Sequence, residues 1–287
     1  MLNLRGRGIN SPSGSKGGEA LPAFAAILIS LLTLPLTTTC GAANHAGFDE
    51  PGQVPAAVPM RQAEAPGQLV ALWSSGVNTE AAQVSPPDFN DWRNQNKVFE
   101  HMAAFAGGGL TLRKGGRREG LTRTSVSSGF FEVLGVRPYL GRVFAPGDEE
   151  PGRDDVVILG YALWQRAFGS DPGVVGRKVA FDDQVLTVVG VMPKGFEYPG
   201  KSDLPPDLRY QSHTETWTPL PINSMQMGRG VRCLSVIART RPGVTVHDAR
   251  KEMEAIAERL RRQNPQTNEG WGVRLVAVEK IGAAKSL

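Results

Sequence analysis

The chain has 287 residues and a formal net charge of +4, and 40% of its residues are hydrophobic and 21% charged. This composition is typical of a packed soluble core and argues against a protein with several membrane spans. The basic residues form only short pairs, such as Arg117–Arg118 and Arg261–Arg262, so these pairs are interpreted as solvated surface charge and no nucleic-acid partner is predicted.

The amino-terminal segment has the organisation of an export signal. Arg5, Arg7 and Lys16 precede the uncharged apolar run Leu21–Leu36, and small residues follow that run. This order is typical of a secretory signal peptide. A membrane anchor is the alternative, although a helix of this length spans only ~24 Å of a hydrocarbon core of ~30 Å. We therefore predict that residues 1–43 are a signal peptide or N-terminal membrane anchor, and that the rest of the chain lies outside the cytoplasm.

The composition of the chain indicates the boundary between a linker and the folded domain. Residues 44–68 are rich in Pro, Ala and Gly, which indicates a linker, and residues 69–287 are predicted to form the folded domain. Caps, turns and periodicity predict the first elements of this domain. They are a strand at Leu69–Trp73, a helix that begins after the cap Ser85 and extends to Met102, a chain break at Gly107–Gly109, a hairpin of Leu110–Arg113 and Glu119–Val126 about Lys114–Gly116, and a short helix over Gly129–Val136 capped by Ser127–Ser128.

The second half of the domain alternates in the same way between strands and helices. Its predicted elements are a strand at Val156–Leu159, a helix at Tyr161–Phe168, a hairpin of Val179–Phe181 and Val185–Val191, a Pro-rich loop over Pro193–Pro221 with a short strand near Trp217, a strand at Leu234–Arg239, a helix at Val246–Gln263 and a strand at Val273–Val278. The last helix has the strongest signals, because Thr245 can cap it and Asp248 holds the capping-box position.

Short strands and hairpins mixed with three to four helices indicate an α+β fold. The aromatic residues of the predicted helices are interpreted as core; they are Trp92, Phe99, Phe130, Phe131, Trp164 and Phe168. Trp164 and Phe168 lie four positions apart on one helix face, and we expect both to be buried against the strand Val156–Leu159.

The segment Gly195–Ser202 reads GFEYPGKS and satisfies the phosphate-loop pattern G-x-x-x-x-G-K-[ST]. A phosphate loop also needs a helix after it, whose amino terminus receives the phosphates. Pro205 and Pro206 prevent such a helix, and Pro199 removes one amide from the loop. We therefore predict a loop without nucleotide affinity.

No constellation of residues predicts catalysis or metal binding. The chain has no G-x-S-x-G motif, and its four histidines, His45, His101, His213 and His247, include no pair with the i, i+4 spacing of a zinc site. The acidic cluster Asp148–Glu150 lacks the alternating ligands of a calcium loop. Cys40 falls in the predicted signal peptide or anchor, so a disulfide with Cys233 is not expected. We predict no catalytic residue, no cofactor, no metal ligand and no enzymatic activity.

Six longer phrases carry a resemblance to a known family. In chain order they are VSPPDFNDWRNQNKVFEHMAAF, SGFFEVLGVRPYLGRVF, VVILGYALWQRAFGSDPGVVGRKV, TVVGVMPKGFEYP, VIARTRPGVT and NEGWGVRL, which lie between Val84 and Leu275. These phrases resemble the periplasmic core domain of MacB-like permeases of ABC transporters (macrolide-exporter-type permeases). The resemblance implies a periplasmic domain that works with membrane permease subunits and a cytoplasmic ABC ATPase, and it implies no catalytic residue.

Two departures from the family pattern bear on function. The usual permease continues after the core with three further membrane helices, whereas this chain stops at Leu287, and the run Leu21–Leu36 stands where the first membrane helix would lie. The chain is therefore expected to be a truncated permease or a free-standing core. The predicted function is that of an extracytoplasmic domain of an ABC-type export permease at the periplasmic face of the inner membrane, with a homodimer as one possible assembly. An envelope scaffold protein is the alternative, and a secreted hydrolase is a weaker one.

Overall fold

The computed structural model describes residues 67–182, 184–199 and 213–278. These residues form eleven strands and five helices. The strands are β1 (Leu69–Gly76), β2 (Thr79–Ala82), β3 (Phe99–Lys114), β4 (Arg117–Val126), β5 (Leu140–Gly141), β6 (Val156–Leu159), β7 (Lys178–Phe181), β8 (Gln184–Val191), β9 (Thr216–Pro219), β10 (Ser235–Thr240) and β11 (Gly272–Ala277). The helices are α1 (Pro86–Gln95), α2 (Phe130–Leu134), α3 (Tyr161–Phe168), α4 (Val246–Gln263) and α5 (Pro265–Asn268).

All eleven strands belong to one mixed sheet with the order β11-β1-β10-β3-β4-β9-β6-β8-β5, while β2 pairs with β1 and β7 pairs with both β3 and β8. The pairs β3–β4, β4–β9, β9–β6, β6–β8, β8–β7 and β7–β3 therefore close a ring of six strands. We call these six strands the ring, and we call β2, β11, β1, β10 and the first half of β3 the open sheet.

The open sheet has a hydrophobic core on each face. Residues alternate between faces along a strand, so Val70 and Leu72 of β1 face one core and Ala71 and Trp73 face the other. Helices α1 and α4 cover the first face. Helix α2 covers the second face together with residues of the ring, among them Trp217. The second core therefore fastens the open sheet to the ring.

A third core lies against the ring and is covered by α3. It contains Leu112 of β3, Leu121 of β4 and Phe181 of β7, together with Trp164 and Phe168 of α3. Both α3 aromatics are buried beside Val157 and Leu159 of β6, so the expected burial of these two side chains is confirmed. The Trp164 indole Nε1 also donates a hydrogen bond to the Asp171 carbonyl at 2.9 Å.

The α+β fold class is confirmed, and so are most of the predicted elements. Helix α3 has the predicted bounds, and α4 begins at Thr245 with the complete capping box, in which Thr245 and Asp248 each satisfy the other's backbone N–H. Strand β6 and the hairpins β3–β4 and β7–β8 are present as well. The structure adds three short elements that the sequence analysis did not predict: β2, β5 and α5.

The prediction that the first helix extends to Met102 is wrong. Helix α1 ends at Gln95 because the Asn96 side-chain amide donates to the carbonyls of Trp92 and Arg93, at 2.8 and 3.0 Å. The Asn96 Oδ1 atom then accepts a hydrogen bond from the Phe99 amide at 3.1 Å, where β3 begins. One side chain thus ends the helix and starts the strand, so Phe99 is a core residue of a strand rather than of a helix.

Two further predictions are corrected along β3. Gly107–Gly109 does not break the chain, because these residues pair with Thr122–Thr124 of β4. Ser127–Ser128 does not cap α2: the Ser127 hydroxyl accepts a hydrogen bond from the Ala104 amide of β3 at 3.0 Å, and the residue at the helix cap is Gly129, with no side-chain cap bond.

We predict that Trp164→Ala lowers the free energy of unfolding by about 3–5 kcal/mol, the usual cost of removing a large aromatic from a core. Denaturant unfolding of the full chain measures this loss. Val185→Ala is the control, because Val185 is 54% exposed and its truncation should change stability little. A Trp164→Ala loss as small as that of the control would contradict the assignment of Trp164 to the core.

Candidate functional site

The two ends of the described chain leave the fold at the same end of the open sheet. The Gln68 amide donates to the Thr240 hydroxyl at 2.9 Å, and the Thr240 amide donates to the Gln68 carbonyl at 3.0 Å. The Val278 amide donates to the Leu69 carbonyl at 2.9 Å. A force on either end of the domain therefore acts on β1 and on its neighbours β10 and β11.

A buried cation lies at this end of the sheet. Arg239 of β10 donates from Nε to the Val133 carbonyl at 2.8 Å and from Nη1 to the Gly67 carbonyl at 3.1 Å. Burial lowers the pKa of Arg239 from its ordinary value, and the nearby Glu100 acts in the opposite direction. Because Val133 is in the last turn of α2, Arg239 connects the first described residue to the helix that joins the open sheet to the ring.

Strand β3 connects this end of the sheet to the far end of the ring. His101 pairs with Arg239, and from there the strand continues to Lys114. Its sixteen residues correspond to about 50 Å at a rise of roughly 3.3 Å per residue. The first half of β3 pairs with β10, and the second half pairs with β4 and β7. One strand is thus shared by the open sheet and the ring.

A group of ion pairs and hydrogen bonds joins β4 to α3 and to Glu215, which precedes β9. The Glu215 carboxylate accepts hydrogen bonds from the Thr122 amide and hydroxyl, at 2.9 and 3.1 Å, and its other oxygen lies 2.6 Å from Arg166 Nη2. Arg166 also contacts Glu119 of β4 at 2.8 Å. Burial raises the pKa of Glu215, but the bonds from Thr122 and Arg166 outweigh it and hold that pKa below its ordinary value.

A second polar cluster lies beside the open sheet, around Asp88 of α1. The side chain of Asp88 is 4% exposed and lies 2.8 Å from Arg229 Nη1 and 3.5 Å from Arg232 Nη1. Asn268 of α5 donates to the same carboxylate at 2.9 Å. The Arg232 guanidinium also stacks over the Trp271 ring, 3.9 Å from its centroid. This cluster fixes the loop before β10 to α1 and α5, and the sequence analysis did not predict it.

The described part of the phosphate-loop segment, Gly195–Pro199, contributes side chains to the interior of the domain. Phe196 and Tyr198 are buried in the core between the open sheet and the ring. The Trp217 indole donates to the Tyr198 carbonyl at 3.1 Å, and the Thr214 hydroxyl donates to the Pro199 carbonyl at 3.1 Å. Gly200–Ser202 lies outside the described residues. The absence of nucleotide affinity stays a prediction.

The three described histidines lie on different segments of the fold. His101 is exposed on β3 rather than in a helix, and His247 is exposed in the first turn of α4. His213 Nε2 lies 3.9 Å from the Glu215 carboxylate, and His45 lies outside the described residues. Across residues 67–182, 184–199 and 213–278, no group of three His, Cys, Asp or Glu side chains is placed to hold a metal ion.

In the acidic cluster Asp148–Glu150, Asp148 and Glu149 form hydrogen bonds and an ion pair with nearby protein groups. Asp148 accepts a hydrogen bond from the Ala145 amide at 2.8 Å and pairs with Arg142 at 2.6 Å. Glu149 accepts from the Ser128 amide. Burial raises the pKa of Glu149, while Arg93 and the bond from Ser128 act in the opposite direction. The cluster thus anchors the loop before β6.

Cys233 precedes β10 as a free, partly buried thiol that packs on the core beneath α1 and α4. Burial raises the pKa of this thiol. Cys40 lies outside the described residues, so the expectation of no disulfide with Cys233 stays a prediction.

Comparison with known proteins assigns this mixed sheet with five helices to a known family of domains. A sequence model described as the MacB-like periplasmic core domain matches residues 54–256. That match covers more than half of the chain, so the chain belongs to the family of MacB-like periplasmic core domains.

Solved structures show the same fold. The periplasmic region of MacB from Actinobacillus actinomycetemcomitans is 16% identical in sequence, with a TM-score of 0.53 over 75% of this chain and 91% of that one. The extracellular domain of the noncanonic ABC-type transporter YknZ from Gram-positive bacteria is 19% identical, with a TM-score of 0.51 over 72% of this chain and 99% of that one. No curated protein sequence matches the chain. None of the helices within the described residues is long and apolar enough to cross a membrane.

We predict that Asp88→Asn lowers the free energy of unfolding by about 3 kcal/mol, because it leaves the largely buried Arg232 guanidinium without its anion, whereas Arg229 keeps its ion pair with Asp91 at 2.5 Å. Chemical denaturation of the full chain measures the change. Glu80→Gln is the matched control, since it removes the same charge from an ion pair with Arg274 in which Glu80 is 87% exposed, and exposed pairs contribute little. Equal losses in the two variants would show that the Asp88 cluster is no more than surface charge.

Proposed function

We propose that the chain is the extracytoplasmic domain of an ABC-type export permease, where it transmits conformational change and engages partner subunits without catalysing a reaction. The observation that carries this proposal is the continuous strand β3. Strand β3 begins beside Thr240, at the end of the open sheet where the described chain enters and leaves the domain, and it ends at the far side of the ring. Membership of the MacB-like family supplies the transport context.

The hydrogen bonds explain how motion would pass through the domain. A displacement of Gln68 or Val278 acts directly on β1 and β10. Strand β10 pairs with β3 from Phe99 to Phe105, and β3 pairs with β4 from Phe105 to Lys114. Because the second core also packs α2 and Trp217 against this junction, the open sheet and the ring move as one body. Rigid-body motion of packed domains is a common means of coupling.

The proposed role requires further subunits. Membrane permease subunits and a cytoplasmic ABC ATPase would supply the translocation path and the energy, and a second copy of the chain would be one way to assemble them. The predicted export of the chain by residues 1–43 accords with this placement; those residues lie outside the described part. A stand-alone envelope scaffold would use the same rigid body without an ATPase, so coupling to ATP-driven export distinguishes the two functions.

We predict that inserting Gly-Gly after Gly108 reduces ATP-driven export by the assembled transporter strongly. Two residues preserve the alternation of faces but interrupt the pairing of β3 between the open sheet and the ring. The matched control is Gly-Gly inserted after Val77, in the exposed β1–β2 turn. Both variants are expressed with the permease subunit and the ABC ATPase that co-purify with the tagged wild-type chain, and export of the compound that this assembly transports is measured.

Recovery of each variant in the membrane fraction and its thermal transition are measured first, so that misfolding is separated from uncoupling. The proposal expects the Gly108 insertion to be recovered with its partners and to have lost export, while the Val77 insertion exports normally. Normal export with the Gly108 insertion would rule out transmission through β3. A tagged chain that recovers no ABC ATPase would favour the scaffold alternative.

A further inference from the structure

We propose that the tip of the β3–β4 hairpin, residues 113–119, is a docking surface for an acidic surface on a partner protein. This inference rests on the proposed function, which places the chain ends toward the membrane. The tip is the most basic short segment in the described chain, with Arg113, Lys114, Arg117 and Arg118 within six residues. All residues from 113 to 120 are exposed.

The tip keeps its positive charge after its own contacts are counted. Glu119 pairs with Arg166, a cation that it shares with Glu215. Asp182, in the neighbouring β7–β8 turn, is the facing carboxylate among the described residues, and it interacts with Arg113 and Arg118. Arg117 has no side-chain hydrogen bond or ion pair with the described residues. The tip and its described contacts therefore bring five cations against three carboxylates, which leaves a net positive surface: the cations are Arg113, Lys114, Arg117, Arg118 and Arg166, and the carboxylates are Glu119, Asp182 and Glu215. Asp183, which follows Asp182 in the sequence, lies outside the described residues.

The backbone of the tip is held in place from several sides. Gly115 and Gly116 have φ values of +56° and +75°, as a two-residue hairpin turn with positive φ at both positions requires. The Asp182 amide donates to the Thr111 carbonyl at 2.7 Å. Lys114 donates to the Ala167 carbonyl and lies over the Phe168 ring, 4.9 Å from its centroid. A surface that is already ordered loses less entropy when a partner binds.

The position of the tip indicates what kind of partner can reach it. The chain ends lie beside Leu69 and Thr240, and the tip lies about 50 Å farther along β3 at a strand rise of ~3.3 Å. Electrostatic attraction to an anionic membrane at the chain ends falls off within a Debye length of about 8 Å. Within the proposed assembly, which holds the chain ends at the membrane, a membrane surface does not reach the tip, whereas a protein that stands above the domain does. Complementary charge would set the orientation and the rate of docking.

The test compares two double variants of the full chain that change net charge equally. Arg117→Glu/Arg118→Glu reverses the tip, and Arg250→Glu/Lys251→Glu reverses two adjacent exposed cations on α4, away from the hairpin. The probe is a fluorescein-labelled oligoglutamate peptide, and its anisotropy is titrated at low and at physiological salt. We expect the tip variant to bind at least about tenfold more weakly than the wild type, and the α4 variant less than about twofold more weakly.

Three results would overturn the inference. The first is that the wild-type chain does not bind the peptide, and the second is that both variants lose affinity equally. The third is that the wild-type chain floats with phosphatidylglycerol vesicles, and that the tip reversal abolishes this flotation but leaves the variant's binding of the peptide intact. The last result would assign the tip to lipid headgroups. The export assay separates this inference from the proposed function: if the Gly108 insertion abolishes export and the tip reversal leaves it unchanged, transmission stands and docking at the tip is wrong.

Discussion

The pairing of β3 along its whole length is the constraint on which the rest of the structure depends. Its first half belongs to an open sheet covered by α1 and α4, and its second half belongs to the six-stranded ring. Between them, Gly107–Gly109 brings no side chains to the strand, yet its backbone pairs with Thr122–Thr124. Glycine lowers the intrinsic stability of a strand, so the junction relies on its neighbours. The core formed by Phe105, α2 and Trp217 supplies that support.

The polar clusters fasten the connecting loops to this frame. Asp88 draws Arg229 and Arg232 against α1, and Glu215 joins Thr122 of β4 to Arg166 of α3. Buried charges are costly unless they are paired, so each cluster permits one arrangement of its loop. These contacts favour a single arrangement of the described domain. This accords with a role in transmission, because a rigid body moves its far end whenever its near end moves.

Local signals in the sequence predicted the local elements well. The capping box of α4, the apolar run of β6 and the glycine turn of the β3–β4 hairpin each depend on neighbouring residues. The errors occurred where distant contacts decide: Asn96 ends α1 early, and Ser127 bonds to Ala104 of β3 rather than capping α2. The closure of the ring and the Asp88 cluster join residues that are distant in the chain, up to 180 positions apart for Asp88 and Asn268. Periodicity and spacing carry no information about such contacts.

The distance between the hairpin tip and the base of the open sheet tests the central claim most directly. Spin labels are placed at Arg117 and at His247, which is exposed at the start of α4 near the chain ends. Cys40 and Cys233 are replaced by serine, and double electron–electron resonance is measured on the purified full chain. A body joined through a continuous β3 predicts a single narrow distribution of distances. A broad or two-peaked distribution would show that the open sheet and the ring move independently, and would contradict transmission through the hairpin.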